Sequence, residues 1–288
     1  MSSAAVVGFG IDAQYADRYP YGLANLCQRY RPRLTHLSVV SLRNVNHAEW
    51  FTRECAKGLP IIHHLSNVAP ADYDGPHLQQ LRRLDDVSRR LHAIWSCEDV
   101  GIWSLGPYGI PYFAPPVFES EVADNVAAGI RAIVENSSVD FLAEIPSCSF
   151  LAGKMSLGEF FHRIVQQSGC GLVLDVGHVY SYALFRDEEP AAVLQSLPLN
   201  AVRELHVAGA KISPRYRYRY IDTHTDPILD EVEELLLLAI ERCQELRCIT
   251  YELGFNISAE LIDSELDRLE KTLKKATWRP RLQTLQAA

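Results

Sequence analysis

The sequence predicts a single-domain α/β protein with the (β/α)8 architecture of a TIM barrel. Short apolar, β-branched runs alternate with segments of helical periodicity along the whole chain of 288 residues. Eight such strand–helix repeats are typical of a parallel barrel. An open, doubly wound sheet is the alternative, but no GxGxxG motif follows the first predicted strand. We therefore expect one domain over residues 1–288, with 275–288 as a C-terminal tail.

The predicted strands are short runs rich in Val, Ile and Leu. They cover residues 6–11, 34–40, 60–64, 93–97, 141–143, 171–174, 202–207 and 248–251. The predicted helices carry apolar residues three and four positions apart, as at Leu78, Leu81 and Leu84. They cover residues 46–56, 77–92, 119–134, 156–168, 190–196, 226–245 and 258–274. A loop rich in glycine, proline and aromatic residues fills positions 101–116.

The composition excludes several classes of protein. Hydrophobic residues make up 48% of the chain and charged residues 22%, which excludes global disorder and allows a sizeable core. A formal net charge of -8 argues against wholesale nucleic-acid binding. No apolar stretch reaches the roughly 18–20 residues of a membrane span, and the N-terminus lacks a signal-peptide pattern. We therefore expect a cytoplasmic protein whose seven cysteines are reduced and mostly buried.

Acidic residues and histidines stand at the ends of the predicted strands from the third to the eighth. The active site of a (β/α)8 barrel lies at the carboxyl ends of its strands, so these side chains are expected to converge. His63 and His64 both end the third strand and point to opposite faces, and we favour His64 as the one inside the barrel. The candidate metal ligands are His64, Glu98, Asp99, Glu144, Asp175, His178, His206, Asp222, His224 and Glu252.

The whole set predicts a metal cluster, although any one member has an ordinary structural explanation. A single histidine commonly bonds a backbone carbonyl, and a single carboxylate commonly caps a helix or pairs with an arginine. Together, however, so many carboxylates in one poorly solvated place would repel each other, and bound cations would neutralise them. At roughly three or four protein ligands per ion, the set is large enough for two or three metals. Imidazole and carboxylate ligands without thiolate suit iron, zinc or manganese.

Several segments resemble the multinuclear non-haem iron-dependent oxidative enzymes, a TIM-barrel family. LDVGHVY at 174–180 is similar to the family's LDVNNVY, ELHVAG at 204–209 to EIHLAG, and IDTHTDP at 221–227 to IDTHGDP. AEIPS at 143–147 resembles LENPS, and the segment 250–257 resembles the family's last motif. Two departures stand out. Asp99 occupies a position where the family commonly has histidine, and His178 occupies one where it has asparagine.

This resemblance implies two or three iron ions in mixed Fe(II)/Fe(III) states, with O2 as co-substrate. It also implies oxidation of a cysteine in a ribosomally made precursor peptide, in a heterodimer with a small partner protein that recruits the leader peptide. The segment 98–112 is most similar to the methanobactin branch, which makes an oxazolone and a thioamide from cysteine by a four-electron oxidation. The ten candidate ligands carry over to the family's metal positions. The residues with implied catalytic roles are Asp99, Glu144, Asp175, His206 and Glu252.

The run at 211–220 alternates arginine and tyrosine and predicts a lid or ribbon beside the site. Such a segment can stack nucleic-acid bases, grip an acidic or aromatic peptide, or form a solvated hairpin. The acidic balance of the chain favours a peptide over nucleic acid. The candidate substrate-binding residues are Arg215, Tyr216, Arg217, Arg219 and Trp103.

Two other classes of function remain open from the sequence. A zinc or manganese hydrolase, or a sugar isomerase, places similar ligands on the same type of barrel. A non-catalytic peptide-binding scaffold is the third possibility. Metal analysis of protein purified without air separates the iron-dependent oxidative enzyme from the zinc or manganese enzyme. Oxygen consumption that depends on a cysteine-containing peptide would exclude the non-catalytic scaffold.

Overall fold

A computed structural model describes residues 8–14, 22–148 and 150–276 of the chain. Its strands are β1 (Gly8–Gln14), β2 (His36–Val40), β3 (Ile61–His64), β4 (Trp95–Asp99), β5 (Ile102–Leu105), β6 (Tyr108–Ala114), β7 (Asp140–Glu144), β8 (Gly171–Asp175), β9 (Val202–Ala208), β10 (Ala210–Ile212), β11 (Tyr220–Asp222) and β12 (Cys248–Glu252). The pairs β5–β6 and β10–β11 are antiparallel hairpins, and the other strands form one closed parallel barrel in which β1 pairs with both β2 and β12. The predicted barrel is therefore confirmed.

The helices follow the barrel strands, and the last helix follows the last strand. They are α1 (Gly22–Tyr30), α2 (Val45–Trp50), α3 (Leu78–Leu91), α4 (Ser120–Glu135), α5 (Leu157–Ser168), α6 (Val176–Arg186), α7 (Pro190–Gln195), α8 (Asp230–Arg242) and α9 (Ala259–Lys275). A π-helical segment, Phe51–Ala56, continues α2. Helix α5 begins at a capping box, in which the Ser156 side chain and the Glu159 side chain each bond the other's backbone N–H. None of the helices in the described ranges is long and apolar enough to cross a membrane.

The structure adds elements that the sequence patterns did not predict. Neither helix α1 nor helix α6 was predicted, and α6 follows β8 without any intervening loop. Most of α6 is buried on all sides, so it lacks the polar face that reveals an amphipathic helix. The predicted loop at 101–116 contains the β5–β6 hairpin. Residues 6 and 7 of the first predicted strand and residues 277–288 of the predicted tail lie outside the described residues.

The main apolar core lies between the barrel and its helices, where rings such as Phe160 and Phe161 are fully buried. Inside the barrel, apolar side chains form only a small separate cluster. The rest of the barrel interior, up to the carboxyl ends of the strands, carries polar and charged side chains.

Strand register sets which polar residues are neighbours at these carboxyl ends. Asp12 of β1 is paired with Glu252 of β12, and Asp99 of β4 is paired with Glu144 of β7. Asp175 of β8 is paired with His206 of β9. The backbone hydrogen bonds of the barrel thus fix the Cα positions from which the side chains of the site extend.

Candidate metal centre

The mouth of the barrel brings together all of the predicted ligands except Glu98. The members of this cluster, called here the mouth cluster, are His64, Asp99, Glu144, Asp175, His178, His206, Asp222, His224 and Glu252. On one side of the cluster, His206 Nδ1 lies 3.0 Å from Glu144 Oε1 and 3.1 Å from Glu252 Oε1. His64 Nε2 lies 3.4 Å from Glu144 Oε2. Two imidazole rings and two carboxylates therefore meet within ligand distance of a common centre.

The other side of the mouth cluster comes from α6 and from the β10–β11 hairpin. Asp222 ends β11, and its Oδ2 lies 3.2 Å from His178 Nε2 and 3.1 Å from His224 Nε2. His224 has a positive φ of 56°, and its Nε2 lies 3.7 Å from Glu252 Oε2. Glu252 thus joins the two halves of the cluster.

Asp175 has two roles at the start of α6. It is the N-cap residue, and its Oδ1 accepts a 2.8 Å hydrogen bond from the backbone N–H of His178. His178 Nδ1 lies 2.7 Å from the carbonyl oxygen of Ile145 and 4.0 Å from Asp99 Oδ1. The cap leaves the second carboxylate oxygen of Asp175 without a hydrogen-bond partner.

The electrostatics of the mouth cluster reflect a competition between burial and opposite charge. Burial lowers the pKa of His64, but the hydrogen bond to Asp12 and nearby carboxylates raise it to about 10. Burial also lowers the pKa of His224, and the charge of Asp222 raises it to about 10. Burial raises the pKa of Asp175 to about 7. Without a metal, the histidines therefore hold protons that partly balance the carboxylates.

Unpaired carboxylate oxygens in the mouth cluster and in the adjacent Asp12 show whether these residues suit a metal. Four buried carboxylate oxygens have no hydrogen-bond partner among the described residues: Asp12 Oδ1, Asp99 Oδ1, Glu144 Oε2 and Asp175 Oδ2. An unsatisfied buried carboxylate oxygen is strongly unfavourable, and a cation would supply the missing interaction.

Two groups within the mouth cluster have ligand atoms that all lie within 4.8 Å of one another. One group is His64, His206 and Glu252, and the other is Asp99, Glu144 and His178. The residues present therefore fit a site for more than one cation with nitrogen and oxygen ligands.

Glu98 lies outside the mouth cluster, because it points to the opposite face of β4 from Asp99. Its carboxylate accepts hydrogen bonds of 3.0 Å from the backbone N–H groups of Val68 and Ala69. Burial raises the pKa of Glu98 to about 7, against the effect of those amides. The structure thus gives Glu98 a role in holding the loop after β3.

The face of the strand on which each side chain lies also distinguishes His63 from His64. His63 points out of the barrel, with Nδ1 2.7 Å from Ser88 Oγ and Nε2 3.0 Å from the Leu42 carbonyl oxygen. His64 faces the interior, as expected.

Asp12 is a member of the site that the sequence patterns missed. Its Oδ2 lies 3.1 Å from His64 Nδ1, and the residue is only 4% exposed. Asp12 stands directly after the predicted first strand, as Glu144 and Asp175 stand after theirs, so the strand-end rule would have found it had the rule been applied to the first strand as well.

A cavity of about 630 Å³ opens above the mouth cluster. The loops and hairpins around the mouth line it, with Tyr112, Cys148, Arg219, Asp222, His224 and Phe255 among the lining residues. All seven cysteines are free and buried, as predicted, and burial raises the pKa of Cys148 to about 12. Burial therefore disfavours the thiolate form of Cys148, which lines the cavity.

The predicted substrate-binding residues lie at different distances from this cavity. Arg219 lines it and also borders a patch of partly exposed rings, called here the aromatic patch: Phe185, Tyr216 and Tyr218. Arg215 stacks over the Tyr216 ring, with its guanidinium carbon 5.1 Å from the ring centroid. Arg217 is exposed in the same hairpin loop.

Trp103 does not line the cavity. Its backbone N–H donates to Asp72 at 2.6 Å, and its ring packs against Phe113 with centroids 5.4 Å apart. The structure thus separates it from the arginines of the β10–β11 hairpin.

Sequence comparison gives one family match and several relatives. The family model described as RiPP precursor modification enzyme MbnB/TglH/ChrH matches residues 25–274. A UPF0276 protein of Caulobacter vibrioides is 26% identical over 185 residues, covering 64% of this chain and 65% of that protein. A second UPF0276 protein of C. vibrioides is 31% identical over 186 residues, covering 62% and 63%. The chain thus matches about 65% of the length of the first of these relatives.

Structural comparison identifies proteins with the same fold. A xylose isomerase domain protein from Planctomyces limnophilus has a TM-score of 0.63 at 13% identity, covering 94% of this chain and 99% of that one. Endonuclease IV from Thermus thermophilus has a TM-score of 0.60 at 16% identity, covering 93% and 99%. These identities are low, so the likeness shows the TIM-barrel fold alone.

Proposed function

Because the chain belongs to the MbnB/TglH/ChrH family of RiPP precursor modification enzymes, we propose that it oxidises a cysteine of a ribosomally made precursor peptide, using iron and O2. The observation that carries this proposal is the mouth cluster, in which buried carboxylate oxygens without partners face histidine nitrogens. Such a set of atoms is suited to holding cations and has little purpose without them. In this proposal the protein works in the cytoplasm, in a heterodimer with a small partner that recruits the leader peptide.

The metal in this proposal is iron, as two or three ions. Each described member of the mouth cluster offers an imidazole nitrogen or a carboxylate oxygen, and such mixed sets suit iron. The thiol of Cys97 lies within ligand distance of His64 and Glu144, but burial raises its pKa well above its ordinary value, which disfavours it as a ligand relative to the carboxylates and imidazoles.

The residues of this chain hold the ions and shape the space around them. His64, His206 and Glu252 would hold one ion, and Asp99, Glu144 and His178 another. Asp222 and His224 would add ligands from the β10–β11 hairpin, and Asp175 from the start of α6. Iron, when bound, supplies the redox chemistry that couples oxidation of the cysteine to reduction of oxygen. The carboxylates with proposed catalytic roles act as ligands, and none is required as a covalent nucleophile.

The peptide would lie in the cavity above the mouth cluster and extend over the aromatic patch. Arginines recognise carboxylates by paired hydrogen bonds and aromatic rings by stacking, and Arg219 stands where the cavity and the patch meet. A precursor with acidic or aromatic residues beside its cysteine fits this surface. Nucleic acid fits it less well, given the formal net charge of -8.

The proposed product is an oxazolone next to a thioamide, as in methanobactin biosynthesis. Forming both groups removes four electrons and four protons from the peptide, and these reduce one O2 to two waters. The mass of the peptide therefore falls by four hydrogens, and no oxygen atom is added to it.

The test is metal analysis followed by reaction with a peptide. The protein is purified without air, its metals are quantified, and it is then incubated with O2 and a cysteine-containing precursor encoded beside its gene. We expect iron in the protein, and loss of hydrogen mass from the cysteine peptide but not from a control peptide with serine in its place. Zinc alone in the protein would favour a hydrolase, and full turnover by iron-free protein would refute the proposal.

A further inference from the structure

A second polar layer lies beneath the mouth cluster, inside the barrel. Its centre is Glu204, which stands two residues before His206 on β9 and is fully buried. Residues two apart on a strand point to the same face, so Glu204 lies directly below His206 in the barrel interior. Glu204 is the first residue of the ELHVAG segment, but it is not among the ten candidate metal ligands.

Both carboxylate oxygens of Glu204 already accept hydrogen bonds. Oε2 accepts from the indole N–H of Trp95 at 2.7 Å, and Oε1 accepts from the hydroxyl of Thr250 at 2.5 Å. His36 Nε2 lies 2.9 Å from the same Thr250 hydroxyl. The space over Gly10 is occupied by the His36 ring, since a Cβ at Gly10 would clash with His36 Nε2.

The directions of these hydrogen bonds can be assigned from chemistry. A threonine hydroxyl has one hydrogen, and here it is donated to Glu204, so Thr250 must accept from His36. Every hydrogen bond in this layer therefore points toward Glu204. Any further group that bonds Glu204 Oε1 has to be a donor.

His206 is the group that remains. Its Nε2 lies 3.2 Å from Glu204 Oε1, is buried, and has no well-aligned hydrogen-bond partner among the described residues. Its Nδ1 faces the opposite way, toward Glu144 and Glu252 of the mouth cluster. Contacts of this kind are often poorly aligned in ligand-free sites and become aligned when the site is filled.

The lower layer is not a metal site of its own, although Glu204 lies within ligand distance of His36 and Cys248. The two oxygens of Glu204 are occupied by donors, and burial raises the pKa of Cys248 well above its ordinary value. A cation there would have to displace the hydrogens of Trp95 and Thr250. Glu204 is instead suited to accept one more hydrogen bond from a donor in the mouth cluster.

We propose that Glu204 is a positioning residue that holds His206 with its hydrogen on Nε2 and its Nδ1 lone pair directed at the iron site. This role rests on the proposed function, because it acts on an iron ligand. A carboxylate behind a metal-binding histidine fixes both the ring orientation and the tautomer of that histidine. Trp95, Thr250 and His36 in turn hold the Glu204 carboxylate in place.

The experiment compares Glu204→Gln with Trp95→Phe, which removes a different hydrogen bond from the same carboxylate. Fe(II) affinity is measured without air by competition with a chelator, and the stability of the metal-free chain is measured by thermal unfolding. Histidine ¹⁵N NMR of the chain loaded with diamagnetic Zn(II) reports which nitrogen of His206 carries hydrogen and which faces the metal. We expect Glu204→Gln to weaken Fe(II) binding about 10–100-fold and to mix the His206 tautomers. We expect Trp95→Phe to lower stability but to weaken Fe(II) binding much less than Glu204→Gln, because the Glu204 carboxylate keeps its charge and its hydrogen bond from Thr250.

Each outcome decides the proposal. Unchanged Fe(II) affinity in Glu204→Gln, or an equal loss in Trp95→Phe, overturns the positioning role and leaves the proposed function standing. Should Glu204→Gln fail to fold, the wild-type NMR spectrum decides, because hydrogen on Nδ1 of His206 overturns the proposal. A wild-type chain that binds no Fe(II) overturns the proposed function itself, and the positioning role with it.

Discussion

His63 and His64 are adjacent residues for which the structure predicts opposite consequences of mutation. We expect His64→Ala to lose iron, because the His64 ring lies within ligand distance of Glu144 and Glu252. We expect His63→Ala to keep iron, because His63 points outward to Ser88 and a backbone carbonyl. The two variants remove the same side chain one residue apart on β3, so each is the matched control for the other.

The structure also gives the size of each effect. His63→Ala removes two buried hydrogen bonds, at about 1 kcal/mol each, and leaves a cavity. We expect a loss of about 3 kcal/mol of unfolding free energy, or roughly 6–12 °C in melting temperature. His64→Ala leaves buried carboxylates without a counter-charge, which costs about 3–5 kcal/mol in the metal-free chain. It also removes a ligand, so Fe(II) affinity should fall by more than about 100-fold.

The assay measures iron per folded chain after anaerobic reconstitution, together with melting temperature. Stability alone does not separate the variants, since both lose some of it, whereas iron content does. Iron loss in His63→Ala equal to that in His64→Ala would refute the assignment of the two faces of β3. Full iron content in folded His64→Ala would remove His64 from the ligand set.

Three further substitutions test separate parts of the site. Asp12→Asn should weaken Fe(II) binding about tenfold while the protein stays folded, and unchanged binding in a chelator competition would exclude Asp12 from the site. Glu98→Gln should lower the free energy of unfolding by about 1–3 kcal/mol, because two loop amides lose a charged acceptor. Its iron content should stay normal, and a fall in iron would return Glu98 to the ligand set. Arg219→Ala should raise KM for the precursor peptide several-fold with iron content unchanged, whereas Arg83→Ala, on the outer helix α3, should leave KM as it is. Equal KM values for the two arginine variants would show that the peptide does not use the mouth hairpin.

The barrel and most of its mouth could be predicted because the sequence carries two local signals. Strand-forming runs mark the barrel strands, and the residue at the end of such a run is placed by topology alone. His206 and Glu252 needed no further information to be brought together. The alternation of side chains along a strand meant that only one of His63 and His64 could face the interior, and the position of His64 at the strand end favoured it.

The parts that were not predicted depend on long-range contacts or on buried surroundings. Helix α6 is packed on nearly all sides, so its sequence shows no polar stripe at a helical period. Glu98 has the chemistry of a ligand, and its removal from the cluster depends on the amides of a loop about thirty residues earlier in the chain. The role of Glu204 depends on Trp95, which is remote in sequence, although its spacing from His206 was a usable signal.

Because side chains alternate between the two faces of a barrel strand, neighbouring residues are constrained for different reasons, one for folding and the next for metal binding. On β3 and β4, the outward residues His63 and Glu98 serve folding, and the inward residues His64 and Asp99 serve the cluster. A deep mutational scan scored separately for protein abundance and for product would therefore oscillate along these strands with a period of two. Substitutions at outward positions would reduce both scores together, whereas conservative substitutions at inward positions would reduce product and leave abundance nearly intact. A side chain assigned to the wrong face would show the pattern of scores expected for the opposite face.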